Sequence, residues 1–177
     1  KSYKRAMRKR YKTDFLKMIS TNIIMFPLSI GLMKLFRKKE KNSFNKEEFY
    51  GLGVNLDKGN HQQELIEELG VKSLIIRIPL SDIQNLDKYY SFVKSFGDDK
   101  KVLINIMQDR EHIDDKELLK LHIMEIFNTF KSITKEYQIG TTINRAKWGF
   151  FAVKEYLEFY KIVQEIRDDN YNTYTLL

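Results

Sequence analysis

The chain has no cysteine, which excludes disulfides, thiolate metal sites and a cysteine nucleophile but leaves the cellular compartment open. Zinc-ligand spacing and a phosphate-binding loop are also missing, and the Gly51-x-Gly53 pair lacks the third glycine of a dinucleotide fingerprint. His61 and His122 stand in helix-like sequence with no partner at ligand spacing. No metal and no cofactor are therefore expected. Basic charge is scarce over most of the chain, although the formal net charge is +7. Residues 1–46 hold 14 Lys/Arg against Asp14 and Glu40 alone, which leaves 17 basic residues against 22 acidic ones in the remainder. The body is mildly acidic, so nucleic acid is not an expected partner.

What is present is enough for one ordinary domain: 177 residues, 42% hydrophobic and 13% aromatic. The division at 46 separates a basic, apolar leader from a body spanning 47–177. In the leader, Lys4, Arg5, Arg8, Lys9 and Arg10 precede an apolar stretch from Phe15 to Phe36, and Arg37-Lys38-Lys39 follow it. The uncharged core between Lys17 and Lys34 is 16 residues, against roughly 20 for a bilayer span. Counting both lysines, whose side chains can reach outward, lengthens the span enough. A cleavable signal peptide fits poorly, since the apolar stretch is long and no small-residue cleavage site follows. Three readings fit: a transmembrane helix, an interfacial helix, and a helix packed beneath the body. The flanking cations favour membrane association through residues 1–41 and an anionic surface, with a cytoplasmic location as the alternative. Both flanks are basic, so orientation is not set. A start at Lys1 and an end in the β-favouring run Thr173–Leu177 read as a fragment of a longer protein.

From Phe49 onward, β-type runs alternate with helical periodicity. Strands are predicted at Tyr50–Leu56, Ser73–Leu80, Lys101–Gln108, Tyr137–Asn144 and Asn172–Leu177, with helices at 61–69, 86–96, 115–134 and 151–167. Asn60 with Gln63 and Asp114 with Glu117 form candidate capping boxes, and Gly70 and Gly97 suit left-handed helix ends. Repeated βα units imply a parallel sheet, with each strand beside its sequence neighbour through a right-handed crossover. The strand faces are unequal. One carries Leu52/Val54/Leu56, Leu74/Ile76/Ile78, Val102/Ile104/Ile106 and Ile139/Thr141/Ile143, a surface suited to helices. The other carries Gly51/Gly53/Asn55/Asp57, Ile75/Arg77/Pro79, Leu103/Asn105/Met107/Asp109 and Gly140/Thr142/Asn144. Small residues low in the strands and polar ones at their C-terminal ends fit a (β/α)8 barrel interior better than a doubly wound, flavodoxin-like sheet.

Asn55, Asp57, Arg77, Asn105, Asp109 and Asn144 should then converge at one rim, where amides, carboxylates and a guanidinium can bind a hydroxyl-rich ligand through paired hydrogen bonds. The alternative for any one of them is a loop cap. Leu69-Gly70-Val71 leading into Ile76-Arg77-Ile78-Pro79, with Asn144 at the end of the fourth strand, resembles the (β/α)8-barrel retaining glycoside hydrolases of the cellulase and mannanase type. The resemblance covers about Phe49 to Leu177, the N-terminal half of such a barrel. It implies a carbohydrate ligand, with Arg77 bracing a nucleophile and Asn144 binding a sugar 2-hydroxyl.

Arg145 stands where that clan's general acid follows Asn144, and an arginine does not deliver a proton at neutral pH. The clan's nucleophile would lie on a seventh strand, beyond Leu177. Asp109 and Glu111, in the loop Gln108-Asp109-Arg110-Glu111-His112, are the substitute acid and base candidates. Against this stands a purely structural role, in which Asp109 and Arg110 pair with each other or with Arg145. Trp148 is either a platform for a sugar ring or a hydrophobic plug. Two functions remain: a membrane-associated glycoside hydrolase-like protein acting on or binding a glycan, and a non-catalytic descendant that binds sugar or protein.

Overall fold

The computed structural model describes residues 5, 9, 11–36, 50–59, 61–143 and 149–177. It comprises two compact units, Lys1–Phe44 and Asn45–Leu177. In the first, helix α1 (Lys12–Phe36) is long and apolar enough to cross a membrane, and none of its residues is buried.

The second unit is α/β. Its order is β1 (Gly51–Val54), a 3-10 turn, α2 (His61–Leu69), β2 (Ser73–Pro79), a second 3-10 turn, α3 (Leu86–Lys94), β3 (Lys101–Met107), α4 (Arg110–Asp114), α5 (Lys116–Phe130), β4 (Glu136–Ile139), α6 (Val153–Asn170) and β5 (Thr175–Leu176). All five strands are parallel in the order β1-β2-β3-β4-β5. No strand order reverses, so the crevice of a doubly wound sheet does not form. The sheet is open rather than closed on itself.

The unequal faces explain where the core lies. Val54, Leu74, Ile76, Ile78, Val102, Ile104, Ile106, Tyr137 and Ile139 are all buried. They meet Tyr89 and Val93 of α3, Ile123 and Phe127 of α5, and Phe159 and Val163 of α6 in one cluster. The opposite face keeps Gly53 and Arg77 exposed and Ile75, Leu103 and Gln138 half-buried.

Of the boundaries that differ from expectation, three trace to a side chain that replaces a ladder bond or a cap; β5 is also shorter, starting at Thr175 rather than Asn172, and α5 ends at Phe130 rather than 134. The first strand ends at Val54 because Gln62 takes both backbone groups of Asn55, accepting from its N–H at 3.0 Å and donating to its carbonyl at 2.8 Å. The fourth ends at Ile139, not Asn144. Gly140 at φ 77° and Thr142 at φ 50° leave extended geometry there, so Ile143 is exposed rather than facing helices. Finally, the α5 cap is Asp115, which accepts from the N–H groups of Glu117 and Leu118. Asp114 instead closes α4, a helix expected as loop. Asn60, half of the other anticipated capping box, lies outside the described residues, and Gln63 bonds the Ser95 carbonyl instead. Gly70 and Gly97 do take positive φ, 63° and 85°.

Aromatic packing ties the C-terminal part of the sheet to the helices. Burial, then the neighbouring Tyr174 and Tyr171, pushes the Tyr137 phenol well above the ordinary tyrosine range, and burial similarly raises Tyr89, Tyr156 and Tyr174. A raised folded-state value means these phenols favour folding while neutral. That stability is complete below the unfolded tyrosine value of about 10 and is lost as pH rises beyond it. The urea midpoint should hold from pH 8 to about 10 and fall above that, with tyrosinate absorbance rising together with unfolding. A midpoint unchanged at pH 11 would contradict this.

Candidate functional site

Strand register brings the expected inward residues into rows. Arg77 is level with Asn105 and Asn105 with Gln138, which makes one polar row across β2, β3 and β4. The row beneath it is Gly53, Ile75 and Leu103. A guanidinium nitrogen of Arg77 comes within 3.9 Å of where a Gly53 side chain would begin, so the missing side chain on β1 gives the arginine its path across the face. Arg77 has no ion pair among the described residues. Asp57 and Asp109, the carboxylates nearest to it in strand order, are engaged elsewhere: Asp57 is an exposed partner of Lys58 at 3.3 Å, and Asp109 contacts His112.

Asn105 is the buried member of the row, 2% exposed. Its amide donates to the Gly140 carbonyl at 3.3 Å, while its Oδ1 is buried with no hydrogen-bond partner among the described residues. Asn55 sits at the end of β1 with its backbone clamped by Gln62. Asn144, Arg145 and Trp148 lie outside the described residues.

The segment after β4 is anchored from the loop and helix that follow β3. Gln108 holds both backbone groups of Thr141, accepting from its N–H at 2.9 Å and donating to its carbonyl at 2.7 Å. Arg110 donates to the Gly149 carbonyl at 3.2 Å and to Glu155 at 3.0 Å, and it pairs with Asp114. Glu155 in turn accepts from the Phe151 N–H at 2.7 Å. Arg110 also lies over the Phe151 ring, 5.1 Å from its centroid. Asp114 first, and then Glu155, hold Arg110 above even the usual guanidinium range. The arginine is thus a loop anchor with Asp114 and Glu155 as partners, not Asp109.

Asp109 caps α4 through the His112 N–H at 3.0 Å, and the same Oδ1 meets His112 Nδ1 at 2.7 Å. His112 Nε2 then meets His122 Nδ1 at 2.7 Å. His122 therefore has a partner after all, supplied by a residue on another helix. With both rings neutral, His112 donates from Nδ1 to the carboxylate and accepts at Nε2 from His122. The remaining Asp109 oxygen, Oδ2, is buried without a hydrogen-bond partner among the described residues. Glu111 is exposed on α4. The anchoring roles of Gln108 and Glu155 were not legible in the sequence, since each acts on a partner in another element, and the His112 imidazole, which sequence offered beside Asp109 and Glu111 as a source of acid or base, instead links Asp109 to His122.

No family model, curated protein or solved structure matches this chain. Among the described residues no group of three or more His, Asp or Glu side chains could hold a metal ion.

Proposed function

We propose that the second unit is the front half of a glycosidase-like (β/α)8 barrel that binds a hydroxyl-rich glycan at the C-terminal edge of its sheet, and that α1 attaches it to a membrane. The observation that carries this is the row Arg77–Asn105–Gln138 on the face opposite the helix-packed core, with the Asn105 Oδ1 buried and without a partner among the described residues. A buried acceptor without a donor costs about 1–3 kcal/mol, which a ligand hydroxyl can recover. The Arg77 guanidinium, level with Asn105 in the register, reaching toward Gly53 and without an ion pair among the described residues, supplies directional donors on the same face. Sequential strand order and unequal faces support the barrel reading.

Binding without hydrolysis is the better of the two functional readings. One Asp109 oxygen serves the cap of α4 and the His112 ring while the other is buried without a partner among the described residues, and Glu111 is solvated, so the two do not form the free acid–base pair that hydrolysis requires. Arg145 in place of a general acid points the same way. Arg77→Met keeps most of the side-chain volume on an exposed position, so folding should be unchanged while affinity for soluble β-linked oligosaccharides drops at least tenfold in calorimetric titration. Equal affinity of variant and parent would remove Arg77, and with it the proposed face, from the site. Release of reducing sugar by the parent protein would favour the hydrolase reading instead.

A further inference from the structure

We infer that α1 crosses the bilayer as a single span, its mid-section surrounded by hydrocarbon, and does not lie along the membrane surface. The inference rests on the membrane attachment proposed above and goes further by fixing its mode. A helix lying in the interface needs one polar and one apolar face. Successive residues of an α-helix point about 100° apart, so four in a row sample its whole circumference. Ile23, Ile24, Met25 and Phe26 are such a run, and they are 69%, 65%, 51% and 69% exposed. Leu28, Ile30, Leu32 and Met33 continue the apolar cover toward the C-terminal end, each at least 40% exposed. No side of this segment is left for water.

Of the four uncharged polar side chains between Lys17 and Lys34, Ser20, Thr21, Asn22 and Ser29, two are muted in the way a lipid surround requires. Ser20 donates its hydroxyl to the Lys17 carbonyl at 2.9 Å, and Ser29 donates to the Phe26 carbonyl at 2.8 Å. Each hydroxyl is therefore satisfied inside the helix, without water. Length agrees as well. The 18 residues from Lys17 to Lys34 extend about 27 Å at 1.5 Å per residue, close to a hydrocarbon core of about 30 Å. Lys17 and Lys34, the charges bordering the apolar stretch, can reach the two headgroup layers with their long side chains. The basic flanks 1–12 and 37–46 then meet anionic headgroups on opposite sides.

The absence of cysteine makes a direct test possible. Two single-cysteine forms of the full chain, Ser2→Cys and Ser43→Cys, are made in cells, and intact cells are treated with a membrane-impermeant maleimide before and after permeabilisation. A span exposes one position and protects the other, whichever orientation the chain takes, so one variant should label in intact cells and the other only after permeabilisation. Identical labelling of the two, with the chain still floating alongside vesicles, would overturn the span while leaving membrane attachment standing. Identical labelling with the chain in the soluble fraction would overturn both.

Discussion

Phe127→Ala should cost the second unit about 3–5 kcal/mol, the range for removing a fully buried aromatic side chain. Phe127 is 0% exposed on α5. Its ring centroid lies 4.5 Å from that of Tyr137 on β4, 5.1 Å from Tyr171 and 5.3 Å from Tyr174, the last two in the segment leading into β5. Tyr137 and Tyr174 stack on each other at 5.3 Å. β5 is two residues long and, among the described residues, pairs only with β4, so its place in the sheet depends on this cluster more than on its own ladder. Loss of the ring should lower the urea midpoint and weaken hydrogen-exchange protection at Leu177, whose N–H bonds the Tyr137 carbonyl. Tyr137→Phe gives the contrast. That hydroxyl meets the Thr134 carbonyl only at 3.5 Å, and its removal should cost less than about 1 kcal/mol. Equal losses for the two variants would contradict the view that ring packing, rather than hydroxyl bonding, holds this cluster together.

Arg110→Met should cost about 3 kcal/mol, near the low end for breaking a buried pair, because it strands the Glu155 carboxylate. Glu155 is 8% exposed, and Arg110 supplies the charge that faces it. The same substitution removes the Arg110 bonds to the Gly149 carbonyl and to Asp114. Double replacement, Arg110→Met with Glu155→Gln, removes the stranded charge while the introduced amide can still accept from the Phe151 N–H. Most of the loss should return, and the double-mutant cycle in urea would measure the coupling. An Arg110→Met variant as stable as the parent would show that α4 and the start of α6 are held by apolar packing alone.

These two sites also show what the sequence makes readable. β2, β3 and α2 follow their periodicity closely, because Leu74/Ile76/Ile78 and Val102/Ile104/Ile106 alternate without interruption and both strands are flanked on each side by other strands. The fourth strand is shorter than its composition suggests for a physical reason. Thr141, Thr142 and Ile143 are β-branched and favour strands, but the Thr141 backbone is taken by Gln108, 33 residues earlier. A side chain that replaces a strand partner at that separation leaves no local trace. The His112–His122 contact is hidden for the same reason, since the two stand on separate helices with no ligand-like spacing. At the candidate site, alternation was sufficient to place Arg77 and Asn105 on one face. It did not reveal that Asn105 would be buried with one oxygen lacking a partner among the described residues, or that Gln138 would complete the row, because both depend on register between strands.

Backbone amide chemical shifts, followed during titration with a soluble β-linked oligosaccharide, test most directly the claim that the face opposite the helix-packed core is the ligand-binding surface. Shifts concentrated at Gly53, Arg77, Asn105, Gln138 and Gly140, together with movement of the Asn105 side-chain amide, are the expected result. Saturable shifts confined to the helix-covered side, at α3, α5 and α6, or no shift at millimolar sugar, would contradict it.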